Sequence, residues 1–289
     1  MGFDSIKSLV EAIDNGQTCI SSFRKIPSQQ TAAGTWADFS MAGGSPVTNY
    51  YASSPLVAAI LDPTKGIYHG PDVYPKTKHL KSIMTFVSAV TIPPASIIFY
   101  DSLIYYPFID GDSIEEQLFD NTVTLPRYAD GDKVKAFVVA QGSYVGGARF
   151  SITYTNQAGV GGRTSVFNTS NIATYTGTLI TSGAGIGGAG RQNEKGPFVT
   201  LMDGDTGIRS VESITFETPN SGIFALVLCV PIATTSIREQ TAPVEKNFFQ
   251  DAGGAMPRIY DGAFLGMLVN NGLNMLSTQL TGLIETVWN

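Results

Sequence analysis

The chain has 289 residues, which is enough for one large or two ordinary domains with a substantial core. Apolar residues make up 43% of it, a globular value that excludes wholesale disorder. The net charge of −6 argues against a nucleic-acid-binding groove and against an anchor for anionic membranes. Because only 15% of the residues are charged and glycine and proline are frequent, turns and extended chain are favoured over long helices.

The N-terminal region, residues 1–30, is predicted to be a helix followed by an arm. Four apolar residues recur at helical spacing, and Asn15-Gly16 is a typical stop, so we expect a short amphipathic helix over residues 4–15 that Asp4 caps. The four are Ile6, Leu9, Val10 and Ile13. This helix either packs on its own domain or docks on a neighbouring subunit. The first residues lack the basic start and apolar stretch of a signal peptide, so we expect synthesis in the cytosol.

Residues 31–80 read as an extended region of loops that is rich in aromatic side chains. Prolines and glycines are too dense there for helices, apart from one short helical turn expected at 55–61. Trp36, Tyr50 and Tyr51 favour burial. A long loop with such residues is normally held against a core or a partner surface, so these three are candidate interface residues.

Residues 81–235 have the composition of β-strands and are predicted to form the core. Six runs rich in Val, Ile, Thr, Tyr and Phe are bounded by turn residues: 80–90, 96–108, 134–140, 149–154, 163–167 and 173–180. Residues 208–218 and 223–230 are predicted to form a hairpin through Pro219-Asn220-Ser221-Gly222. We therefore expect a mainly β fold, a jelly-roll-like two-sheet β-sandwich with helical segments at its N- and C-terminal ends.

Residues 236–289 are expected to pack on this core or on a neighbouring subunit. Apolar residues recur at steps of three and four, which predicts an amphipathic helix over 262–288, broken near Gly272. They are Leu265, Val269, Leu273, Leu276, Leu280, Leu283 and Val287. No charge occurs between Asp261 and Glu285. The neutral residues Asn270, Asn274 and Thr281 are therefore candidate contacts with another chain; the alternative is that both helix faces belong to this chain's own core.

Uncharged stretches also occur elsewhere in the chain. Residues 39–61, 82–100 and 164–190 contain no Asp, Glu, Lys or Arg. Solvated surfaces are rarely neutral over such lengths. Neutral surfaces can pack against other proteins without desolvating ions, so this pattern predicts assembly.

Three Asp-Gly-Asp triplets are the only candidate metal ligands. They place six carboxylates across tight turns, where Ca²⁺ can bind oxygen atoms, although Asp-Gly is also common in plain turns. The residues are Asp110, Asp112, Asp130, Asp132, Asp203 and Asp205. None of the triplets continues into a twelve-residue calcium loop with its closing Glu, so turns are the preferred interpretation.

Residues for catalysis and for other cofactors are scarce. The two histidines, His69 and His79, have no metal-ligand spacing, and no Gly-X-Ser-X-Gly motif accompanies them. Cys19 and Cys229 are too few for a disulfide framework, and we expect two unpaired thiols. The glycine-rich stretch 183–188 matches a dinucleotide-binding pattern, but Gly196-Pro197 prevents the helix that the pattern requires. We expect no enzymatic activity and no cofactor.

Several phrases of the sequence resemble a family of tailed-bacteriophage virion structural proteins. They are WADFSM at 36–41, NYYASSPL at 49–56, GIYHG at 66–70, YYPFIDGD at 105–112, DNTVTLPRY at 120–128, RIYDGA at 258–263 and VWN at 287–289. The resemblance runs from about residue 35 to the end of the chain, whereas the N-terminal helix departs from it.

The resemblance implies a structural component of a virion, made in the host cytoplasm, whose partners are other virion proteins. We expect a capsid decoration or cement protein that binds the shell in many copies and forms a homo-oligomer, most simply a trimer. The alternative is a major capsid protein or a tail or adaptor component, although the long spine helix of the common capsid fold is not predicted. A rival of another class is a carbohydrate-binding or depolymerising tail protein, in which acidic residues would converge with Tyr105 and Tyr106 in a cleft.

Overall fold

The computed structural model describes residues 3, 5–27, 30–88, 94–171, 175–181, 196–238, 242–251, 256–272 and 274–289. Its helices are α1 (Ile6–Asp14) and α2 (Phe248–Asp251). Its strands are β1 (Thr18–Ile26), β2 (Trp36–Asp38), β3 (Gly43–Ser45), β4 (Lys78–Ser88), β5 (Ala95–Asp110), β6 (Gln117–Leu118), β7 (Lys135–Ala140), β8 (Arg149–Asn156), β9 (Arg163–Thr164), β10 (Asn168–Thr169), β11 (Ile208–Phe216), β12 (Ile223–Ile237), β13 (Val244–Asn247), β14 (Arg258–Ile259), β15 (Phe264–Asn271) and β16 (Gln279–Trp288). The mainly β fold predicted from the sequence is confirmed.

The strands form three antiparallel sheets, where the sequence predicted two. Sheet A has the order β13-β4-β16-β1-β3, with β14 also paired to β4. Sheet B has the order β2-β15-β5-β12-β7. Sheet C has the order β10-β8-β11-β6, with β9 also paired to β8. Sheet A combines strands from both sides of the 81–235 segment, so the sandwich extends beyond the range predicted for it.

One face of sheet B contributes to two cores, because β5 and β12 are long enough to pass under two sheets. Ile97 and Phe99 on β5 pack with the inner side chains of sheet A. Further along the same face, Ile104 and Tyr106 pack with sheet C. Asp101 lies between these two pairs and is fully buried. Two sandwiches therefore share one central sheet, with a buried carboxylate at the seam between their cores.

The opposite face of sheet B is covered by irregular chain rather than by another sheet. Tyr100, Tyr105 and Val227 on this face form a third buried cluster with Tyr51 and Leu61 of the aromatic-rich loop. The loop predicted to be held against a core is thus held against the central sheet. This arrangement also explains why β12 is apolar at nearly every position, since both of its faces are covered.

Helix α1 confirms the N-terminal helix, with a different cap. The side chain of Ser5 caps it by accepting a hydrogen bond from Ser8 N at 3.1 Å, whereas Asp4 lies outside the described residues. Leu9 and Ala12 enter the core beside sheet A, and the other apolar residues of the helix face outward. In the part of the chain that the structure describes, no helix is long and apolar enough to cross a membrane.

The predicted hairpin 208–230 is wrong in its pairing, although both of its strands exist. β11 pairs with β8 and β6 in sheet C, whereas β12 pairs with β5 and β7 in sheet B. Residues 217–222 therefore cross from one sheet to the other. The rings of Phe216 and Phe224 face each other across the sandwich with centroids 5.7 Å apart. The two strands therefore bury apolar side chains between two sheets. They do not form the hydrogen-bonded hairpin that the turn residues suggested.

The predicted C-terminal helix is also wrong, because the segment forms two strands. β15 pairs with β5 in sheet B, and β16 pairs with β4 and β1 in sheet A. Steps of four keep residues on one face of a strand as well as on one face of a helix, so Leu265 and Val269 on β15 are both buried. Leu280 and Val287 on β16 are buried as well, on either side of an irregularity in the pairing between Glu285 and Thr286. Leu276, in the connecting turn, is 56% exposed, and Leu273 lies outside the described residues.

Smaller differences from the sequence analysis concern short elements. The run 163–167 is a strand only at Arg163–Thr164, and described residues 175–180 form turns and isolated bridges rather than a strand. The segment 55–61 contains no helical turn. The glycine-rich stretch 183–188 lies outside the described residues. The arm predicted after the first helix is strand β1, an interior strand of sheet A.

Candidate interaction surface

A buried carboxylate holds the aromatic-rich loop against sheet B. Asp38 Oδ2 accepts hydrogen bonds from Tyr51 OH at 2.5 Å and from Ser40 Oγ at 2.8 Å. Its Oδ1 accepts from Tyr100 OH at 2.9 Å and from Ser40 N at 2.9 Å. Burial raises the pKa of Asp38 in spite of these four donors. Because the carboxylate is sealed inside the chain and fully hydrogen-bonded, the cluster serves to fix the loop.

A buried lysine fixes the same loop from the side of sheet A. Lys25 Nζ donates to the carbonyl oxygens of Ala42 and Pro46, both at 2.8 Å. Burial lowers the pKa of Lys25 to about 8, although the charge of Asp38 opposes that shift. The backbone around residues 40–47 therefore wraps an ammonium group that β1 supplies.

The three aromatic candidates of this loop lie in different environments. Tyr51 is fully buried in its own chain, so it cannot contact a neighbouring subunit and is no longer an interface candidate. Trp36 is half-buried at the edge of sheet B and borders a cleft of about 700 Å³. Tyr50 is 68% exposed. Of the three, Tyr50 and Trp36 can contact another molecule.

The three polar candidates of the C-terminal segment do not share a face. Asn270 lies on β15 opposite Trp36. Asn274 lies in the turn after β15, and its Oδ1 accepts a hydrogen bond from Ala33 N at 2.8 Å. Thr281 lies on β16, on the face of sheet A that points away from the core. The common face predicted for them required a helix, and the two strands separate them.

Thr281 belongs to a neutral surface that the sequence analysis found only in part. On the outer face of sheet A, Thr281 pairs with Phe86, and Leu283 pairs with Met84. All four side chains are half-buried, and Ile20 on neighbouring β1 is 68% exposed. We call Ile20, Met84, Phe86, Thr281 and Leu283 the sheet A surface. An antiparallel sheet with one open face normally presents polar side chains there, so this surface is typical of a protein contact.

Charged groups border the sheet A surface, and Glu285 lies directly opposite Ile20. Arg24 is exposed on β1 opposite Thr281, and Glu245 is exposed on β13 opposite Met84. Glu285 forms an ion pair with Lys81 at 2.7 Å. The centre of the surface can therefore be dehydrated without stripping water from an ion, which keeps the free-energy cost of docking low.

The three acidic triplets lie in turns. Asp110 Oδ1 accepts a hydrogen bond from Asp112 N at 2.9 Å, and Asp130 Oδ1 accepts from Asp132 N at 3.2 Å. Asp203 is exposed in the third turn. Among the described residues, no three acidic, His or Cys side chains come together as a metal ion would require. The turn interpretation therefore fits all three triplets.

The third triplet ends in a carboxylate with three protein partners. Asp205 accepts hydrogen bonds from Tyr154 OH at 2.6 Å, Asn156 Nδ2 at 2.7 Å and Arg163 Nε at 3.0 Å. Partial burial would raise the pKa of Asp205, but these hydrogen bonds outweigh it and lower the pKa. The carboxylate thus joins the turn at 203–205 to the strands of sheet C.

Both histidines are structural in this fold. The Nδ1 atom of His69 is 3.2 Å from Lys78 Nζ, and its Nε2 is 3.0 Å from the carbonyl oxygen of Ala263. Lys78 Nζ also lies 3.4 Å from Asp261 Oδ1. This geometry requires neutral His69, with Nδ1 accepting from the ammonium and Nε2–H donating to the carbonyl. His79, on β4, is also buried, and its Nδ1 atom lies 3.1 Å from the carbonyl oxygen of Met256.

These histidines predict that acid destabilises the protein. Burial lowers the pKa of both, and the charge of Lys78 adds to the effect at His69. The unfolded chain, with histidine pKa values of about 6.5, therefore binds more protons than the folded chain below that pH. We expect the free energy of unfolding, measured in urea, to fall between about pH 7.5 and pH 5.5. His69→Gln should reduce this slope, and an unchanged slope in that variant would contradict the assignment.

The two cysteines are free, as predicted from the sequence. Burial raises the pKa of Cys229 well above its usual range. It also raises the pKa of half-buried Cys19, although nearby Lys78 opposes that shift. Both groups are therefore poor nucleophiles at neutral pH.

Comparisons with known proteins yield little. No family model matches the chain, and no curated protein matches it. Among solved structures, the VP2 subviral particle of infectious bursal disease virus gives a TM-score of 0.16 and 7% sequence identity, over 94% of this chain and 80% of that one. So low a TM-score carries no argument about a shared fold or function.

Proposed function

We propose that the chain is a structural subunit of a tailed-bacteriophage virion, a capsid decoration or cement protein that binds the shell in many copies. The observation that carries this proposal is the sheet A surface, where apolar and neutral side chains occupy the open face of an antiparallel sheet. The uncharged stretches of the sequence support it, since they contribute four of the five side chains: Met84, Phe86, Thr281 and Leu283. The phrases that resemble virion proteins supply the biological setting.

In this function, the sandwich is a rigid block and the sheet A surface is the contact. The loop fixed by Asp38 and the ion pair of Asp101 with Arg127 hold sheet B in place, and sheet A packs against it. A preorganised surface loses little conformational entropy when it docks. The same surface can contact the shell or another copy of the chain, and we expect the purified protein to self-associate, most simply as a trimer, and to lack hydrolase activity.

A charge placed in the middle of the surface tests the proposal. Thr281→Lys and Leu283→Lys should leave the melting temperature nearly unchanged, because both side chains point away from the core. They should weaken self-association and particle binding by about tenfold or more, since a buried unpaired charge costs several kcal/mol. Analytical ultracentrifugation and cosedimentation with virus particles measure the two effects.

The matched control is Thr164→Lys, which adds the same charge at an exposed strand position on sheet C. It should change neither measurement. Equal behaviour of the Thr164 and Thr281 variants would reject the sheet A surface. A wild-type chain that is strictly monomeric at high concentration and binds no particle would reject the assembly function itself.

For the alternative function, carbohydrate binding, one structural feature is unfavourable and another is favourable. Tyr105 and Tyr106 are buried and cannot form the aromatic platform considered for it. The cleft beside Trp36, which Arg238, Glu245 and Lys246 also border, is large enough for a sugar unit. Binding of the purified protein to a panel of oligosaccharides, abolished by Trp36→Ala, would favour this second function.

A further inference from the structure

A second group of exposed apolar side chains surrounds Gln141, at the end of sheet B where β5 and β7 finish and β12 begins. Tyr50 is 68% exposed, Ile223 is 47% exposed and Phe108 is 36% exposed. We call Tyr50, Phe108, Gln141 and Ile223 the Gln141 patch. Tyr51, next to Tyr50 in the chain, is buried against this face of sheet B. It does not include any residue of the sheet A surface.

Hydrogen bonds to one amide hold the patch together. Gln141 Oε1 accepts from Phe108 N at 3.0 Å, and Gln141 Nε2 donates to the carbonyl oxygen of Tyr50 at 3.0 Å. The backbone N–H of Gln141 donates to the carbonyl oxygen of Ile223 at 2.8 Å. Three segments far apart in sequence are thus fixed around a single residue. Apolar groups on a fixed backbone dock at a smaller entropic cost than the same groups on a mobile loop.

Two exposed carboxylates, those of Asp110 and Asp112, lie next to the Gln141 patch. Asp110 pairs with Ile223 across the two strands and is exposed. Asp112 is exposed and accepts a hydrogen bond from Ser221 Oγ at 3.0 Å. The segments that build the patch lie within four stretches that contain no lysine or arginine at all, namely 26–64, 82–126, 136–148 and 210–237. The chain therefore supplies no cation from these segments to neutralise the two carboxylates.

We propose that the Gln141 patch binds a protein surface whose centre is apolar and whose border carries lysine or arginine. Nucleic acid and anionic lipid are disfavoured as ligands, because both would bring negative charge to Asp110 and Asp112. A two-fold contact of the patch with itself would place the same carboxylates opposite each other, so a second copy in that arrangement is disfavoured too. The patch is separate from the sheet A surface, and this inference does not depend on the virion function.

Synthetic peptides of about twelve residues test the proposal on the intact chain. One peptide contains leucine and lysine, a second has glutamate in place of lysine, and a third has serine in place of leucine. The leucine–lysine peptide should bind about tenfold more tightly than either of the others by fluorescence anisotropy. Its affinity should fall as salt is raised, because exposed charges are screened. Hydrogen exchange should show protection at residues 105–112 and 141–146.

The double variant Phe108→Ser with Ile223→Ser should weaken binding of this peptide about tenfold or more. Ile20→Ser, which removes an exposed apolar side chain from the sheet A surface, is the control and should bind normally. If the double variant does not fold, Asp110→Asn with Asp112→Asn retains the hydrogen-bond acceptors of the turn and should still weaken binding several-fold.

Three results would overturn the proposal. The first is equal binding of the lysine and glutamate peptides, or of the Ile20 control and the double variant. The second is protection that maps away from residues 105–112 and 141–146. The third is a loss of self-association in the double variant, which would show that the patch is a contact between copies of this chain. None of these results depends on particle binding.

Discussion

Replacing Arg127 with Met should destabilise the protein by about 3–5 kcal/mol, because it leaves a carboxylate buried without its partner. Arg127 Nε and Nη2 donate to the two carboxylate oxygens of Asp101 at 2.8 and 2.6 Å. The guanidinium also donates to the carbonyl oxygens of Ser102 and Gly262, both at 3.0 Å. Asp101 lies at the seam between the two cores, so its charge has no access to water. Urea denaturation measures the loss.

Two further variants test whether the loss of stability is specific to the buried ion pair or is shared by ion pairs at the surface. Arg149→Met removes the ion pair with Glu217, whose side chains are 53% and 38% exposed, and should cost less than about 1 kcal/mol. Asp101→Leu combined with Arg127→Met removes both buried charges and should recover much of the lost stability. A small effect of Arg127→Met, comparable with that of Arg149→Met, would show that the seam is hydrated.

Replacing Gly282 with Ala should also be strongly destabilising, because β16 passes directly over an aromatic ring. A Cβ atom at Gly282 would collide with the ring of Phe23 and lie 2.5 Å from the backbone oxygen of Met84. Both neighbours are fixed, the ring in the core of sheet A and the carbonyl in strand β4. Overpacking of this kind costs about 1–3 kcal/mol, and backbone displacement adds to it. Thermal denaturation should show a clearly lower Tm.

Gly43→Ala is the matched control, since a Cβ atom there would have one ordinary contact, with the backbone oxygen of Ile26 at 3.7 Å. It lies in the same sheet and should leave the Tm almost unchanged. The two substitutions also distinguish the strand from the helix predicted by periodicity. In a helix, Gly282→Ala would stabilise the protein by up to about 1 kcal/mol, so the sign of the change decides between the two structures.

The elements that the sequence predicts well are those whose composition alone determines them. β4, β5, β7, β8 and β12 are rich in β-branched and aromatic residues and lie within a few residues of their expected positions. β1 contains alternating polar residues and lies where an arm was expected. Its identity as a strand depends on β16, more than 250 positions away, and such a pairing leaves no local signal.

The predictions that were wrong concern which segments pair with each other. Such pairing depends on the burial of side chains that are far apart in the sequence. The turn at 219–222 has the residues of a hairpin, yet the two strands lie in separate sheets and bury Phe216 and Phe224 between them. The steps of four in the C-terminal segment fit a strand face as well as a helix face, and Gly266 and Gly282 disfavour a helix. These glycines leave room for the rings of Tyr100 and Phe23.

The positions of the proposed interaction surfaces also depend on contacts between segments that are far apart in the sequence. Neutral stretches of sequence indicated assembly and pointed to Thr281, but its neighbours Phe86 and Met84 come from a strand about 200 positions earlier. The Gln141 patch is assembled from four separate segments, and only the hydrogen bonds of one amide reveal it. Composition predicts that a surface for contact exists, whereas the fold decides where it lies.

An electron cryomicroscopy reconstruction of the virus particles tests the central claim most directly. The account predicts many symmetry-related copies of the three-sheet sandwich on the outside of the shell, with the outer face of sheet A turned towards a neighbouring subunit. Side chains of Thr281 and Leu283 should lie in that contact. Absence of the chain from particles, or its presence with this face open to solvent, would contradict the account.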